Sequence, residues 1–134
     1  MNNFTYYNPV KIVFGKGVIA ELSGLVPHEG KIMITYGGGS IMKNGVYDQV
    51  MNALIHHETI SFGGIEPNPQ YETLMKAAEK ARAEHIAFLL AVGAGSVLDG
   101  TKFIAAAIPF SRGKEWDILA VRAKVMSERT GKRV

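Results

Sequence analysis

Residues 86–102 constrain the fold of this chain more than any other part of its sequence. They begin with seven apolar residues, Ile86–Val92, whose length and composition are typical of a strand buried on both faces of a parallel sheet. Four small residues follow, Gly93-Ala94-Gly95-Ser96, where a backbone can turn sharply and a ligand can approach it closely. A helix is predicted over residues 97–108, with Ser96 as its N-cap. This order favours a phosphate at the turn, because backbone N–H groups and the positive helix end point towards it.

The rest of the chain continues the alternation of strands and helices. Further strands are predicted at residues 9–15, 31–36 and 59–62, and further helices at residues 18–25, 46–56 and 70–84. The alternation favours an α/β fold, a Rossmann-like parallel sheet with flanking helices and right-handed crossovers. We interpret residues 1–110 as a dinucleotide-binding α/β domain and residues 111–134 as a basic tail.

Another glycine cluster, Gly37-Gly38-Gly39-Ser40, lies earlier in the chain and follows the predicted strand at residues 31–36. Ligands of parallel sheets bind at the carboxyl ends of strands, where both glycine clusters are expected to lie. Neither cluster matches the Gly-x-Gly-x-x-Gly dinucleotide fingerprint, because Met42 and Leu98 occupy the third glycine positions. The motifs alone therefore leave two interpretations, a nucleotide- or phosphate-binding site and a pair of structural turns.

Composition excludes several classes of protein. The chain has no cysteine, which rules out a disulfide framework and a thiolate metal site. Its apolar content of 47% and charged content of 20% are ordinary for a globular protein in water. The longest apolar runs are far shorter than a bilayer span, and the first residues lack the pattern of a signal peptide. We therefore expect a cytoplasmic protein with no membrane partner.

The net charge of +3 comes from the tail. Residues 1–110 hold eight Lys and Arg against nine Asp and Glu, whereas residues 111–134 hold seven against three. Basic segments can attract nucleic acid or a membrane surface. This one has a single aromatic residue, Trp116, and no recognition motif. We therefore expect no nucleic-acid partner, and interpret the tail as a solvated end or a segment that has lost its partner.

The four histidines give no metal site by motif. His56 and His57 are neighbours on a predicted helix, so their side chains diverge by about 100°. His28 and His85 fall at a turn and at a helix end, where solvated polar residues are expected. We assign no catalytic residue and no metal ligand in this chain.

Asp99 and Lys102 lie three positions apart at the start of the predicted helix over residues 97–108. Two interpretations remain open. The pair forms a surface ion pair worth a few tenths of a kcal/mol, or both side chains face the ligand cleft together with the glycine turn.

The segment from Gly93 to Lys102 resembles the Gly-Gly-Gly-Ser-x-x-Asp-x-x-Lys signature of iron-containing (group III) alcohol dehydrogenases. Glu66-Pro67-Asn68-Pro69 resembles the Pro-Asn-Pro segment of that family, and residues 4–17 resemble its opening strand. Residues 36–40, 62–66 and 99–107 are most similar to its NADPH-dependent aldehyde reductases and butanol dehydrogenases. The resemblance covers about residues 4–125 and includes Trp116-Asp117-Ile118-Leu119.

This resemblance implies a set of cofactor-binding residues. Backbone N–H groups of Gly93-Ala94-Gly95-Ser96 would wrap the pyrophosphate. Asp99 would lie near the nicotinamide-side ribose with Lys102 as its anchor, and Asn68 would reach the adenosine. An Asp that holds the ribose in NAD-preferring members is replaced here by glycine, which favours the 2′-phosphate and hence NADP over NAD. The set is Gly37, Gly38, Gly39, Ser40, Asn68, Gly93, Ala94, Gly95, Ser96, Asp99 and Lys102.

Members of the family continue into a helical second domain, which supplies an Asp and three His as ligands to Fe or Zn. We expect that domain to be absent here, so the chain would be a truncated nucleotide-binding half, inactive alone. Its full-length relatives would transfer hydride between NADPH and a small aldehyde or alcohol. The alternative is a non-catalytic nucleotide-binding or self-associating domain. Because residues 103–108 are apolar almost all round their helix, we also expect an exposed patch and a homodimer.

Overall fold

The computed structural model describes Thr5 and residues 11–108. The predicted tail at residues 111–134, with Trp116, lies outside the described residues. A short 3-10 helix at Val18–Glu21 leads into α1, Leu22–Leu25. Strands and helices then alternate in the order β1 (Lys31–Tyr36), α2 (Ser40–Lys43), α3 (Val46–Ala53), β2 (Thr59–Phe62), α4 (Tyr71–Ala83), β3 (Ile86–Val92) and α5 (Gly95–Ala107).

The three strands form one parallel sheet in the order β2-β1-β3, which confirms the predicted α/β class. Strand β1 is central and pairs with both neighbours, with Ile32 opposite Thr59 on one side and Tyr36 opposite Val92 on the other. Parallel strands need long crossovers. Helices α2 and α3 supply the one between β1 and β2, and α4 supplies the one from β2 across β1 to β3.

Helices cover both faces of the sheet, so side chains on β1 are buried in alternate directions. Ile32 and Ile34 pack on one face with Val50 and Leu54 of the α3 region. Thr35 points to the other face, where α4 and α5 form the second layer. That layer holds the larger buried cluster of Ile65, Leu74, Ala77, Ala78, Val97, Phe103, Ile104 and Ala107.

The strand predicted at residues 9–15 is not formed in the part of that range that the structure describes. Residues 11–14 have no regular structure, and the side chains of Ile12 and Phe14 are 83% and 96% exposed. An edge strand needs a neighbour that offers backbone N–H and C=O groups, and none of the three described strands pairs with this segment. Residues 9 and 10 lie outside the described residues.

Helix α5 begins two residues earlier than predicted. Its N-cap is Ala94, whose backbone is extended (φ −89°, ψ −166°) and whose carbonyl accepts the Leu98 N–H at 3.2 Å. The prediction that Ser96 is the N-cap is therefore wrong, because Ser96 already lies in the first turn of the helix.

The apolar patch expected on α5 is mostly covered. Phe103 is 1% exposed and Ile104 is fully buried, because α4 and the sheet pack against them. Leu98, 48% exposed, is the large apolar side chain of α5 that stays open to solvent in the described part of the chain.

Candidate functional site

Both glycine clusters lie at the same end of the sheet, as predicted. Tyr36 and Val92 end β1 and β3 and are partners in the parallel register, so Gly37 and Gly93 leave neighbouring strands side by side. The first of these turns lies against the start of α5, because a Cβ added at Gly37 would lie 3.4 Å from Cγ2 of Val97. Placement at the carboxyl ends of adjacent parallel strands is where ligands of such sheets bind.

The second turn, residues 93–96, requires glycine at its first position. Gly93 has φ +153°, and a Cβ there would lie 2.9 Å from Cγ2 of Val97, closer than such atoms approach. Ala94 has a negative φ, so its methyl group is compatible with the turn. The first N–H groups of α5, from Gly95 onwards, have no partner within the helix. This end of the 13-residue helix therefore offers an anion backbone donors and a positive dipole.

The first turn, residues 37–40, is exposed to solvent at Gly38, Gly39 and Ser40. Gly38 and Gly39 are exposed, and a Cβ added to either would meet no atom within 4 Å. Gly39 is the N-cap of the four-residue helix α2, which begins at Ser40 and ends at Lys43. The turn thus exposes a hydroxyl and an ammonium group and has room for a ligand beside Gly38.

Residues 63–70, which we call the connector, lead from β2 to α4 and contact the first turn and the start of α5. Gly64 donates its N–H to the Gly37 carbonyl at 2.8 Å, and Ile65 donates to the Tyr36 carbonyl at 3.2 Å, so the connector runs along the end of β1. The Pro67 carbonyl accepts a hydrogen bond from the hydroxyl of Ser96 in α5. Asn68 follows on the exposed part of the connector, next to the second turn.

Glu66 of the connector fixes the start of α4. Its carboxylate accepts hydrogen bonds from the Thr73 hydroxyl at 2.7 Å and from the Gln70 N–H at 3.3 Å. These bonds, above all the one from Thr73, lower the pKa of the Glu66 carboxyl. No role was predicted for Glu66 beyond its place in the Pro-Asn-Pro segment, because its contact with Thr73 depends on how the connector folds back onto α4.

A buried pair of hydroxyls ties α5 to the central strand. The Oγ1 atoms of Thr35 and Thr101 lie 2.6 Å apart, and Thr101 also donates to the Val97 carbonyl at 2.6 Å. Both residues are buried. Because Thr35 is one residue before the end of β1, this contact holds the second turn of α5 against the strand that carries the first glycine turn.

Asp99 and Lys102 lie within α5, each partly exposed. Within residues 11–108 the ion pairs are those of Lys31 with Glu58, at 3.6 Å, and with Glu84, at 2.8 Å, so Asp99 and Lys102 do not form the surface ion pair considered above. The hydrogen bond with Glu84 raises the pKa of Lys31. Those three residues lie at the amino ends of the strands, away from the glycine turns.

The described residues do not fit a metal ion. Among them no group of three or more His, Cys, Asp and Glu side chains could hold one. His28 stacks on His57 with ring centroids 5.8 Å apart, near the amino ends of the strands, and the ring nitrogens of His57 find no hydrogen-bond partner in the described chain. No helix within these residues is long and apolar enough to cross a membrane.

Three parallel strands, helices on both faces and two adjoining glycine turns define a Rossmann-like α/β domain. A family model described as iron-containing alcohol dehydrogenase matches residues 9–132, so the chain belongs to that family. The match extends beyond residue 125, where the resemblance of the sequence was expected to end.

The relatives agree with this assignment. The NADPH-dependent aldehyde reductase YqhD of Escherichia coli (strain K12) is 54% identical over 125 residues, which is 92% of this chain and 32% of the reductase. A crystal structure of YqhD from E. coli K-12 superposes with a TM-score of 0.85 at 55% identity, over 88% of this chain and 30% of that one. The structure of the NADH-dependent butanol dehydrogenase A of Thermotoga maritima gives 0.80 at 41% identity, over 87% and 30%. The chain thus spans about a third of the length of these relatives.

Proposed function

We propose that this chain binds NADP(H) across its two glycine turns, as the nucleotide-binding part of an aldehyde reductase or alcohol dehydrogenase. One observation carries the proposal. The second turn opens directly onto the first N–H groups of the 13-residue helix α5, at the carboxyl end of β3 and beside the turn that ends β1. A pyrophosphate is the ligand group that suits backbone donors at the start of a long helix.

The roles of the individual residues follow from their places around the turns. Backbone N–H groups at Gly93-Ala94-Gly95-Ser96 would hold the pyrophosphate. The open turn Gly37-Gly38-Gly39-Ser40 would receive the adenosine-side ribose and its 2′-phosphate. Asn68 would contact the adenosine from the connector, whereas Asp99 and Lys102 would lie towards the nicotinamide-side ribose. When bound, the dinucleotide supplies the hydride, and these residues position it.

The preference for NADP over NAD rests on charge at the first turn. No carboxylate stands at residues 37–39, where one would repel a 2′-phosphate, and Ser40 and Lys43 add a hydroxyl and a positive charge nearby. The names of the relatives show both choices within the family, NADPH for YqhD and NADH for the enzyme of Thermotoga maritima. Calorimetric titration of the full chain with NADPH and NADH tests the proposal, which fails if neither binds.

The substrate would be a small aldehyde or alcohol, as the names of the relatives suggest. The family's metal would polarise that substrate, but the described residues offer no ligand set for it, so we assign no catalytic residue to them. We expect this 134-residue chain to show no oxidation of NADPH with butanal and added Zn²⁺ or Fe²⁺. Metal-dependent turnover by material of this mass would contradict that expectation.

Self-association is the second candidate function. Ile12, Phe14 and Ile55 are large apolar side chains that are 83%, 96% and 70% exposed, which favours an interface, and we propose a homodimer. Light scattering of the chain at high concentration would contradict this by showing a monomer. The cytoplasmic location expected from the sequence stays a prediction.

A further inference from the structure

The hydroxyl of Ser96 points away from the role that its place in a phosphate-binding turn suggests. It donates to the Pro67 carbonyl, which belongs to the connector and lies 29 positions earlier in the chain. A serine hydroxyl has one hydrogen to donate, and a phosphate oxygen at neutral pH is an acceptor. The hydroxyl therefore cannot donate to a phosphate and to Pro67 together, whereas the backbone N–H of Ser96 stays available.

The connector depends on a few such attachments. Its first part is held to β1 by the backbone bonds of Gly64 and Ile65, and its last part is held to α4 by Glu66. Residues 67–69 lie between these anchors. There the hydroxyl of Ser96 links the connector to α5 through a hydrogen bond to the Pro67 carbonyl. Asn68 is the residue immediately after the carbonyl that this bond holds.

Packing holds part of the connector against α5, but it does not fix the position of the exposed residue Asn68. A Cβ added at Gly100 would lie 3.2 Å from Cγ2 of Ile65 and 3.7 Å from Cβ of Pro69, so the helix rests directly on the connector. These are contacts to buried or partly buried groups. Asn68 is exposed, and packing does not fix where its amide group lies.

We propose that Ser96 is a positioning residue, whose hydroxyl holds the Pro67 carbonyl so that Asn68 stands beside the second glycine turn. This inference rests on the proposed binding of NADP(H). Ser96 then serves the cofactor twice, through its backbone N–H at the pyrophosphate and through its side chain at the adenosine end. The second effect passes through the connector and involves no contact between the hydroxyl and the cofactor.

Three variants of the full chain test this assignment. Ser96→Ala removes the hydroxyl, Ser96→Thr keeps it, and Asn68→Ala removes the group that it is proposed to position. We expect Ser96→Ala to weaken NADPH binding roughly 3- to 10-fold, the loss of one net hydrogen bond, and Ser96→Thr to restore most of the affinity. In the Asn68→Ala background, Ser96→Ala should cause no further loss. Additive losses would overturn the proposal.

Inorganic pyrophosphate separates the two roles of Ser96. This probe occupies the glycine turn and does not reach the adenosine end. Its affinity, measured by competition with NADPH or directly by calorimetry, should be equal in the parent and in Ser96→Ala. A loss of pyrophosphate affinity comparable to the loss for NADPH would show that the hydroxyl binds the phosphate itself, which would overturn the proposal.

Amide hydrogen exchange decides the question independently of the cofactor. Without ligand, the amide of Gln70, which donates to Glu66 of the connector, should exchange about 3- to 10-fold faster in Ser96→Ala than in the parent or in Ser96→Thr. Unchanged exchange would overturn the positioning role even if NADPH binds. If the parent binds neither NADPH nor pyrophosphate, the proposed function falls, and the exchange rates still show whether Ser96 holds the connector.

Discussion

The two glycine turns differ in why they contain glycine. At the second turn the fold requires it, because Gly93 has φ +153° and a Cβ there would approach Val97 to 2.9 Å. At the first turn, Gly38 and Gly39 have room for a side chain and lie outside the left-handed region. Packing thus explains the first residue of the second turn but leaves Gly38 and Gly39 unexplained. Glycine at positions 38 and 39 is therefore a stronger indication of a bound ligand than glycine at position 93.

Alanine at each turn should separate these cases most strongly. Gly93→Ala should lower the free energy of unfolding by about 2–4 kcal/mol, since it combines an unfavourable φ with a contact to Val97. Gly38→Ala is the matched control and should change it by less than about 1 kcal/mol, in the stabilising direction. Urea unfolding measures both. Equal losses would show that the turns do not differ in the way described.

A carboxylate at the open turn should change cofactor choice. Gly38→Asp places a negative charge where the 2′-phosphate is proposed to lie, so the affinity for NADPH should fall roughly tenfold and NADH should become the tighter ligand. Gly38→Asn has nearly the same shape without the charge and should keep the parent's order. Calorimetry that finds NADPH and NADH bound equally by the parent and by Gly38→Asp would place the ribose elsewhere.

Removing one hydroxyl of the buried threonine pair should have a smaller effect on stability. Thr101→Val keeps the shape of the side chain but leaves the Thr35 hydroxyl with only the carbonyl of Leu90, 3.5 Å away. We expect the free energy of unfolding to fall by about 1 kcal/mol. The double variant Thr35→Val/Thr101→Val should be no less stable than Thr101→Val alone. A further loss of the same size in the double variant would mean that the two hydroxyls act independently.

The smallest effect concerns pH at the connector. The hydrogen bond from Thr73 lowers the pKa of Glu66 below its ordinary value of 4.5, so the ionised form is favoured by folding. This contribution to stability is present above pH 4.5 and is lost as the pH falls through the lower pKa of the folded state. Glu66→Gln should therefore be less stable than the parent at neutral pH and equal to it in acid. Glu72→Gln, in the first turn of α4, is the control. If its stability depended on pH in the same way as that of Glu66→Gln, the effect could not be assigned to the hydrogen bond from Thr73.

The sequence predicted the strands better than the helix ends. The strands Lys31–Tyr36, Thr59–Phe62 and Ile86–Val92 have the predicted bounds, since short apolar runs between glycines and polar turns mark strands clearly. The start of α5 was missed, because it depends on the extended backbone of Ala94, which no pattern encodes. The segment at residues 11–14 has the composition of a strand, but whether it becomes one depends on a partner.

The candidate site was predicted in outline. Pattern and resemblance placed both glycine clusters at one end of the sheet, and the parallel register confirms that placement. The contacts that fix the site, Ser96 to Pro67 and Thr35 to Thr101, join residues 29 and 66 positions apart. Such pairs follow from how helices dock on the sheet, which a single sequence does not specify. Whether the eleven candidate residues bind a cofactor stays a prediction.

The parallel register of β1 and β3 also sets the order of events during folding. Val92 comes 56 residues after Tyr36, so the two glycine turns meet only when the chain between them has closed a long loop through β2 and α4. Contacts between such distant residues form slowly, because loop closure costs entropy before pairing compensates for it. A nascent chain that has not yet extended beyond β3 would carry one turn without the other. Binding competence should therefore emerge late, with the docking of β3.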